Sequence, residues 1–199
     1  MTFRIEDKLL INFTQVFEFR KWISDKGYKK LYPNRKIKSL YFENEKNQMF
    51  LDSEEGITPR KKIRIRNYPE HIDEKYYFEK KISSPEGRFK EKKLLKTSDV
   101  SFLSQHGIFD NKYSFCYPKF FVEYTREYYD AKICRLTVDT NISYYPYSKK
   151  PNFISSDPHV AVEIKANIKS KVDQLINSFP FQRVRFSKYC RGFDLLFNK

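Results

Sequence analysis

The segment RKKIRIRNY, which begins at residue 60, alternates basic and apolar side chains in the pattern of a β-strand. Side chains two residues apart on a strand point to the same face and lie about 7 Å apart. Guanidinium and ammonium groups form charge-assisted hydrogen bonds with phosphate oxygens, so such a row can bind an extended anion. The basic residues that share one parity here are Arg60, Lys62, Arg64 and Arg66.

Seven other segments repeat this arrangement, with charged or polar side chains on one parity of a predicted strand. A charged solvent-facing side is ordinary for any one antiparallel strand. Like charges on neighbouring strands repel, however, so their recurrence across the chain indicates a bound anion. The side chains concerned are Arg4, Glu6, Lys8, Tyr77, Glu79, Lys81, Arg88, Lys90, Lys92, Tyr124, Arg126, Arg135, Thr137, Asp139, Glu163, Lys165, Arg185 and Ser187, with Lys188 beside the last.

The carboxylates on these predicted faces indicate which kind of anion binds, a nucleic acid or a metal-bound triphosphate. Nucleic-acid surfaces read phosphates with lysine and arginine, so carboxylates among the cations make DNA or RNA an unlikely partner. Hard oxygen ligands beside phosphate-binding cations suit a triphosphate that carries Mg²⁺ or Mn²⁺. The sequence has no Walker A motif and only five glycines, so side chains must bind the phosphates. The candidate metal ligands are Glu6, Glu79, Asp139 and Glu163.

Composition indicates a folded, anion-binding protein. The chain has 199 residues with 39 basic and 25 acidic side chains, a formal net charge of +14, and 15 tyrosines and 19 phenylalanines. These values favour an aromatic-rich β structure and an anionic partner. Three cysteines without CxxC spacing, and no signal peptide or apolar span, predict a cytoplasmic protein. Docking to a membrane-protein partner on the inner membrane face is compatible with this location.

Strand-like segments outnumber helical ones, and no linker divides the chain, so residues 1–199 are predicted to form one domain. We expect an α+β fold in which about eight antiparallel strands close into a barrel, with charged side chains inside and helices outside. Helices are expected near residues 14–27, 98–108 and 169–180, and a ninth extended segment over 181–189. The predicted strands are Phe3–Ile11, Ile37–Phe42, Lys61–Tyr68, Lys75–Ile82, Arg88–Leu94, Phe120–Tyr129, Lys132–Asn141 and Val160–Ala166.

The order of eight motifs resembles the VTC domain, a branch of the triphosphate tunnel metalloenzymes related to the CYTH phosphatases. The motifs are RIEDKLLI, IKSLYFEN, RKKIRIRNY, YFEKKIS, FVEYTREYY, RLTVDT, AVEIK and FSKY. The resemblance implies a closed tunnel and ATP-dependent polyphosphate polymerase activity with Mn²⁺ or Mg²⁺. Arg4 stands where the wider superfamily has the first glutamate of its ExExK signature, a departure that the VTC branch shares.

The resemblance also implies roles for individual residues. Tyr124 would donate a hydrogen bond to a phosphate oxygen, and Glu163 would bind the metal. Ser187 and Lys188 match the motif that closes on the phosphate chain, with Arg185 in place of a lysine. The residues that would bind phosphate directly are Lys8, Arg64, Arg66, Lys81, Arg126 and Lys90.

These residues are compatible with three functions: a polymerase, a triphosphatase and a polyphosphate-binding module. A polymerase needs no general base, because the attacking phosphate terminus is already ionised. A triphosphatase needs a carboxylate to orient water, for which Glu6, Glu79 and Asp139 are candidates. A polyphosphate-binding module needs only the cations.

Overall fold

The computed structural model describes residues 5–70, 75–132, 134–148, 153–166, 173, 175, 177 and 186–198, with side chains from residue 8 onward. The α-helices in these residues are α1 Val16–Asp25, α2 Gln48–Glu54, α3 Thr97–His106 and α4 Lys188–Phe197. The strands are β1 Ile5–Asn12, β2 Lys29–Glu43, β3 Arg60–Asn67, β4 Tyr76–Ser84, β5 Gly87–Leu95, β6 Ile108–Asp110, β7 Ser114–Asp130, β8 Arg135–Pro146, β9 Ser155–Ser156 and β10 His159–Ala166.

An antiparallel, sheet-rich α+β fold is confirmed, and each of the eight predicted strands overlaps an observed one. The predicted extended segment over 181–189 is wrong at its end, because α4 begins at Lys188. The Ser187 hydroxyl accepts a hydrogen bond from the amide of Cys190 at 3.3 Å, which caps the new helix. Arg185 and the rest of 178–185 lie outside the described residues, as does most of the predicted helix over 169–180.

The first of two compact units comprises Met1–Arg35, Tyr124–Ile142 and Ser156–Phe186. Its strands follow the order β1-β10-β8-β7-β2. Apolar residues of one parity on β8 and β10 form a buried core with Phe19 and Ile23 of α1. Because strand side chains alternate between faces, the other parity of β8 and β10 lies on the side of the sheet away from α1.

The second unit comprises Lys36–Glu123, Ser143–Ser155 and Ser187–Lys199. Its strands follow the order β7-β2-β3-β4-β5. Helix α4 packs closely on the sheet, where Tyr189 stacks on Phe120 with ring centroids 5.8 Å apart. A Cβ atom at Gly192 would come within 2.5 Å of the Tyr144 ring, so only glycine permits this approach.

Among the described residues, hydrogen-bonded pairing begins at β1 and ends at β5, and no register joins those two strands. The closed barrel therefore stays a prediction, as does the single domain. None of the helices described is both long and apolar enough to cross a bilayer.

Candidate functional site

Three strands of the second unit carry the predicted cations on one side, which we call the cationic face. Antiparallel register places Lys62 opposite Lys81, and Lys81 opposite Lys90. Directly opposed residues of antiparallel strands point to the same face. The pairing therefore brings to one face the basic residues that the sequence alternation predicted to share a face. The charged members of the cationic face are Arg60, Lys62, Arg64, Arg66, Glu79, Lys81, Arg88, Lys90 and Lys92.

Glu79 is the one carboxylate among these nine side chains, and it is 1 % exposed. The Arg64 guanidinium donates to Glu79 Oε2 from Nε at 2.8 Å and from Nη2 at 2.5 Å. Lys90 Nζ donates to Oε1 at 2.5 Å, and Arg66 Nη1 lies 3.9 Å from Oε2. Burial alone would raise the pKa of Glu79, but the charges of Arg64 and Arg66 outweigh it and hold the pKa well below its usual range. Glu79 is therefore ionised and surrounded by cations.

Two polar residues of β2, which sequence reasoning did not assign to the site, orient the arginines. The Arg64 guanidinium donates to the Tyr41 hydroxyl at 2.8 Å, and Arg66 Nε donates to Ser39 Oγ at 3.2 Å. Burial raises the pKa of Tyr41, but the charges of Arg64 and Arg66 outweigh it and leave that pKa below its ordinary value. Ser39 and Tyr41 share a parity in the sequence SLY, which is the signal that could have identified them.

The N-terminus of α4 meets the cationic face at Lys62. Lys62 Nζ donates to Ser187 Oγ at 2.8 Å and lies 4.7 Å from the centre of the Tyr189 ring. Lys188, the first residue of α4, is partly buried. The sequence-predicted pair Ser187 and Lys188 is thus joined to the cationic face through Lys62.

Lys92 of the cationic face is held by an aromatic ring. Its Nζ lies 3.6 Å from the centre of the Tyr77 ring. A cation at this distance over an aromatic face is attracted by the ring quadrupole. Lys92 is exposed, whereas Arg64 and Arg66 are each 7 % exposed, so the face becomes more buried from β5 towards β3.

The first unit carries a second group of predicted residues, which we call the mixed-charge face. Register places Lys8 of β1 opposite Glu163 of β10, and Glu163 opposite Thr137 of β8. Lys165 lies opposite Arg135. The described polar members of the mixed-charge face are Lys8, Tyr124, Arg126, Arg135, Thr137, Asp139, Glu163 and Lys165.

Arg126 joins the two carboxylates of this face whose side chains the structure describes. Its Nε and Nη2 atoms donate to the two oxygens of Asp139 at 2.5 and 2.7 Å, a bidentate pair. Nη2 also lies 3.6 Å from Glu163 Oε2, which Lys165 Nζ approaches at 3.0 Å. Burial lowers the pKa of Arg126, but the charge of Asp139 outweighs it and raises that pKa well above its ordinary value.

The remaining predicted residues fall in three places. Lys8 Nζ donates to the carbonyl oxygen of Phe186 at 3.2 Å. The Arg126 guanidinium lies 5.3 Å from the centre of the Tyr124 ring. Glu6 is opposite Lys165 by backbone register, and its side chain, like all of Arg185, is outside the described residues.

The mixed-charge face offers hard oxygen ligands for a divalent metal. In the described part of the chain, no three His, Cys, Asp or Glu side chains come together as a preformed metal cage. Mg²⁺ often binds through one or two carboxylates and completes its shell with substrate phosphates and water. Glu163 and Asp139, both buried and both contacting Arg126, fit that kind of site.

A family model for the VTC domain matches residues 3–197. The chain belongs to the VTC domain family. The motif-based resemblance is thereby confirmed. VTC membership indicates an enzyme of the triphosphate tunnel type, with triphosphate substrates and dependence on a divalent metal.

Solved structures share the fold of this VTC domain. A proposed adenylate cyclase from Bacillus halodurans aligns with a TM-score of 0.63 and 14 % identity over 94 % of this chain and 96 % of that one. A conserved hypothetical protein from Pyrococcus furiosus aligns with a TM-score of 0.62 and 14 % identity over 94 % of this chain and 99 % of that one. A protein from Pyrococcus horikoshii OT3 aligns with a TM-score of 0.62 and 14 % identity over 97 % of this chain and 99 % of that one. No curated protein matches the chain. At such identities the alignments show a common fold.

Proposed function

We propose that this VTC domain is a metal-dependent polyphosphate polymerase, which transfers the γ-phosphoryl group of ATP to a growing polyphosphate chain. The observation that carries the proposal is the charge imbalance of the cationic face, where eight cations accompany the single carboxylate Glu79. Like charges repel, and the repulsion is strongest where burial reduces solvent screening, as at Arg64 and Arg66. A run of phosphate groups would offset that repulsion.

The cationic face supplies preorganised phosphate contacts. Arg64 and Arg66 are fixed by Tyr41, Ser39 and Glu79, so little side-chain freedom is lost when a phosphate binds. Phosphoryl transfer asks mainly for positioning and for neutralisation of the charge on the transferred group. The proposal gives these roles to Arg64, Arg66, Lys81, Lys90, Lys8, Arg126 and Lys188, with further phosphate contacts from Lys62, Lys92, Tyr124, Arg135, Arg185 and Ser187.

The mixed-charge face would hold Mn²⁺ or Mg²⁺ through Glu163, assisted by Asp139 and Glu6. A divalent metal, when bound, neutralises phosphate charge and orients the β- and γ-phosphate oxygens. Arg126 links Asp139 to Glu163 and so couples metal ligands to a phosphate-binding cation. Glu79 was also a candidate ligand, and that assignment stays a prediction.

Polymerisation is favoured over hydrolysis by the state of Glu79. A triphosphatase needs a carboxylate that accepts a proton from water, and the cations around Glu79 hold its pKa too low for an effective base. Asp139, a second candidate base, has both oxygens in hydrogen bonds with Arg126. A phosphate terminus is an ionised nucleophile and needs neither group.

The deciding experiment incubates the purified protein with ATP and Mn²⁺, with and without a short polyphosphate primer, and separates the products on a polyacrylamide gel. We expect polyphosphate ladders that a polyphosphatase removes. Orthophosphate without polymer would instead establish a triphosphatase. Binding of tripolyphosphate without turnover of ATP or tripolyphosphate would establish a binding module.

We further propose that the domain forms a closed tunnel, lies in the cytoplasm and has a membrane-protein partner. The first follows from the family resemblance, and density for a soaked triphosphate with Mn²⁺ along a lumen would test it. Nucleic acid remains the disfavoured ligand, and nucleic-acid binding that short polyphosphate fails to displace would contradict this.

A further inference from the structure

Two polar atoms on β8 are buried and have no hydrogen-bond partner among the described residues, Thr137 Oγ1 and Arg135 Nε. Thr137 is 1 % exposed, so water reaches its hydroxyl poorly. A buried polar group without a partner destabilises the folded protein, so such groups are uncommon in native structures. Neither atom belongs to the ion pairs that organise the rest of the mixed-charge face.

The register places both atoms beside the proposed metal ligand. Thr137 lies opposite Glu163, and Arg135 lies opposite Lys165, two residues further along β10. Residues two apart on β8 point to the same face, with a separation of about 7 Å. Thr137 is flanked on that face by Arg135 and by Asp139, which Arg126 already engages.

The chemistry of the two groups specifies their missing partner. Arginine Nε can only donate, and a threonine hydroxyl can donate to an acceptor. The neighbouring carboxylates contact other cations, Asp139 with Arg126 and Glu163 with Lys165. An acceptor with several oxygens would satisfy both donors together, and a phosphate group meets that requirement.

We propose that the Thr137 hydroxyl and the Arg135 Nε–H bind one phosphate group of the substrate beside Glu163. Thr137 thereby becomes a phosphate-binding residue that charge patterns do not reveal, because it is uncharged. The inference rests on the proposed function, since it assumes that the mixed-charge face receives phosphate.

Valine is nearly isosteric with threonine and lacks the hydroxyl, so Thr137→Val tests the inference with two readouts of opposite sign. The unliganded variant should melt at a higher temperature than the wild type, because an unpaired buried hydroxyl has been removed. Its affinity for inorganic tripolyphosphate with Mg²⁺, measured by titration calorimetry, should fall roughly ten- to hundredfold. Thr137→Ser keeps the hydroxyl and should bind within about threefold of the wild type.

Thr140→Val on the opposite parity of β8 is the matched control. It reproduces the change in strand propensity and should leave tripolyphosphate affinity unchanged. Wild-type affinity in Thr137→Val would overturn the inference while leaving the proposed function intact. A lower melting temperature in that variant would also overturn it, because the hydroxyl would then have an internal partner. Failure of the wild type to bind tripolyphosphate would refute the proposed function itself.

Discussion

The cationic face and the mixed-charge face use the same residue types with different charge balances. On the cationic face, Arg64 and Lys90 both bind Glu79, and Arg66 Nη1 lies 3.9 Å from the same carboxylate. On the mixed-charge face, Arg126 binds Asp139, and Lys165 binds Glu163. One face therefore carries eight cations to a single carboxylate, and the described members of the other carry four cations to two carboxylates.

The difference indicates a division of labour. A cationic excess attracts phosphate and repels a metal ion, whereas a buried carboxylate beside cations can accept a metal that arrives with phosphate. Within this proposal, substitutions on the cationic face should weaken triphosphate binding, and substitutions at Glu163 should change the dependence on metal.

The largest effect is expected from Arg64→Gln. The variant loses a guanidinium that is preorganised by Glu79 and Tyr41, and with it the charge-assisted contacts to phosphate. We expect kcat/KM for ATP to fall by about a hundredfold or more. A steady-state assay of polymer formation or phosphate release measures this loss.

Lys93→Gln is the matched control for that experiment. Lys93 is exposed on β5, opposite Phe78 of β4, and so belongs to the other parity of the same three strands. Lys93→Gln removes the same formal charge as Arg64→Gln and should change kcat/KM by less than about threefold. Similar losses in both variants would mean that overall charge, and not the cationic face, sets the activity.

A smaller and qualitatively different effect is expected from Glu163→Gln. Removing the carboxylate should raise the Mn²⁺ concentration for half-maximal activity by about ten- to hundredfold. It also releases Lys165 and Arg126 from a negative neighbour, so tripolyphosphate without metal should bind as tightly as to the wild type or more tightly.

Metal titration of activity and metal-free calorimetry measure the two effects of Glu163→Gln separately. Glu18→Gln on the exposed side of α1 serves as the control and should reproduce the wild type in both. Weaker metal-free binding in Glu163→Gln would contradict the division between the faces, because Glu163 would then support phosphate binding directly.

Strand parity could be predicted from the sequence because alternation is a local property. The sequence KKIRIRN places Arg64 and Arg66 on one side whatever the strand pairs with. The partners of these arginines could not be predicted in the same way. Contact between Arg66 and Ser39 depends on the register of β2 against β3, which is set across the intervening α2. The roles of Tyr41 and Ser39 therefore appear only in the folded chain.

The state of each carboxylate was equally hidden in the sequence. Glu79 and Glu163 each share a predicted strand face with basic residues, and both were predicted as metal ligands. Only the fold shows that three cations lie within 4 Å of the Glu79 carboxylate. The start of α4 also escaped prediction, since its cap at Ser187 and the packing of Gly192 on Tyr144 depend on distant strands.

A third carboxylate, Glu43 of β2, extends the comparison to a side chain for which no ion pair is found in the described part of the chain. It is 2 % exposed and accepts a hydrogen bond from the Tyr189 hydroxyl of α4. Burial raises its pKa to about 7, and the Tyr189 hydrogen bond and the amides of Met49 and Phe50 offset this only in part. The charge of Lys119 also lowers the pKa of Glu43, and burial, followed by the charge of Glu43, raises the pKa of the Cys116 thiol.

The raised pKa of Glu43 predicts that stability falls as pH rises. Between its ordinary value of 4.5 and about 7, the unfolded chain releases the Glu43 proton while the folded chain retains it. The stabilisation is complete below pH 4.5 and is lost towards pH 7, by up to about 3 kcal/mol. Glu79 behaves oppositely, because its lowered pKa contributes stability above its ordinary value and loses it on acidification.

Glu43→Gln should flatten this dependence, since glutamine mimics the neutral acid at every pH. Urea denaturation between pH 5 and 7.5 gives the free energy of unfolding of the variant and the wild type, and their difference should grow with pH in favour of the variant. Glu45→Gln, at an exposed position two residues away, should retain the wild-type slope. A constant difference between Glu43→Gln and the wild type would mean that Glu43 is already ionised in the folded protein. Glu43 would then be indistinguishable from Glu79, and the contrast among the carboxylates would fail.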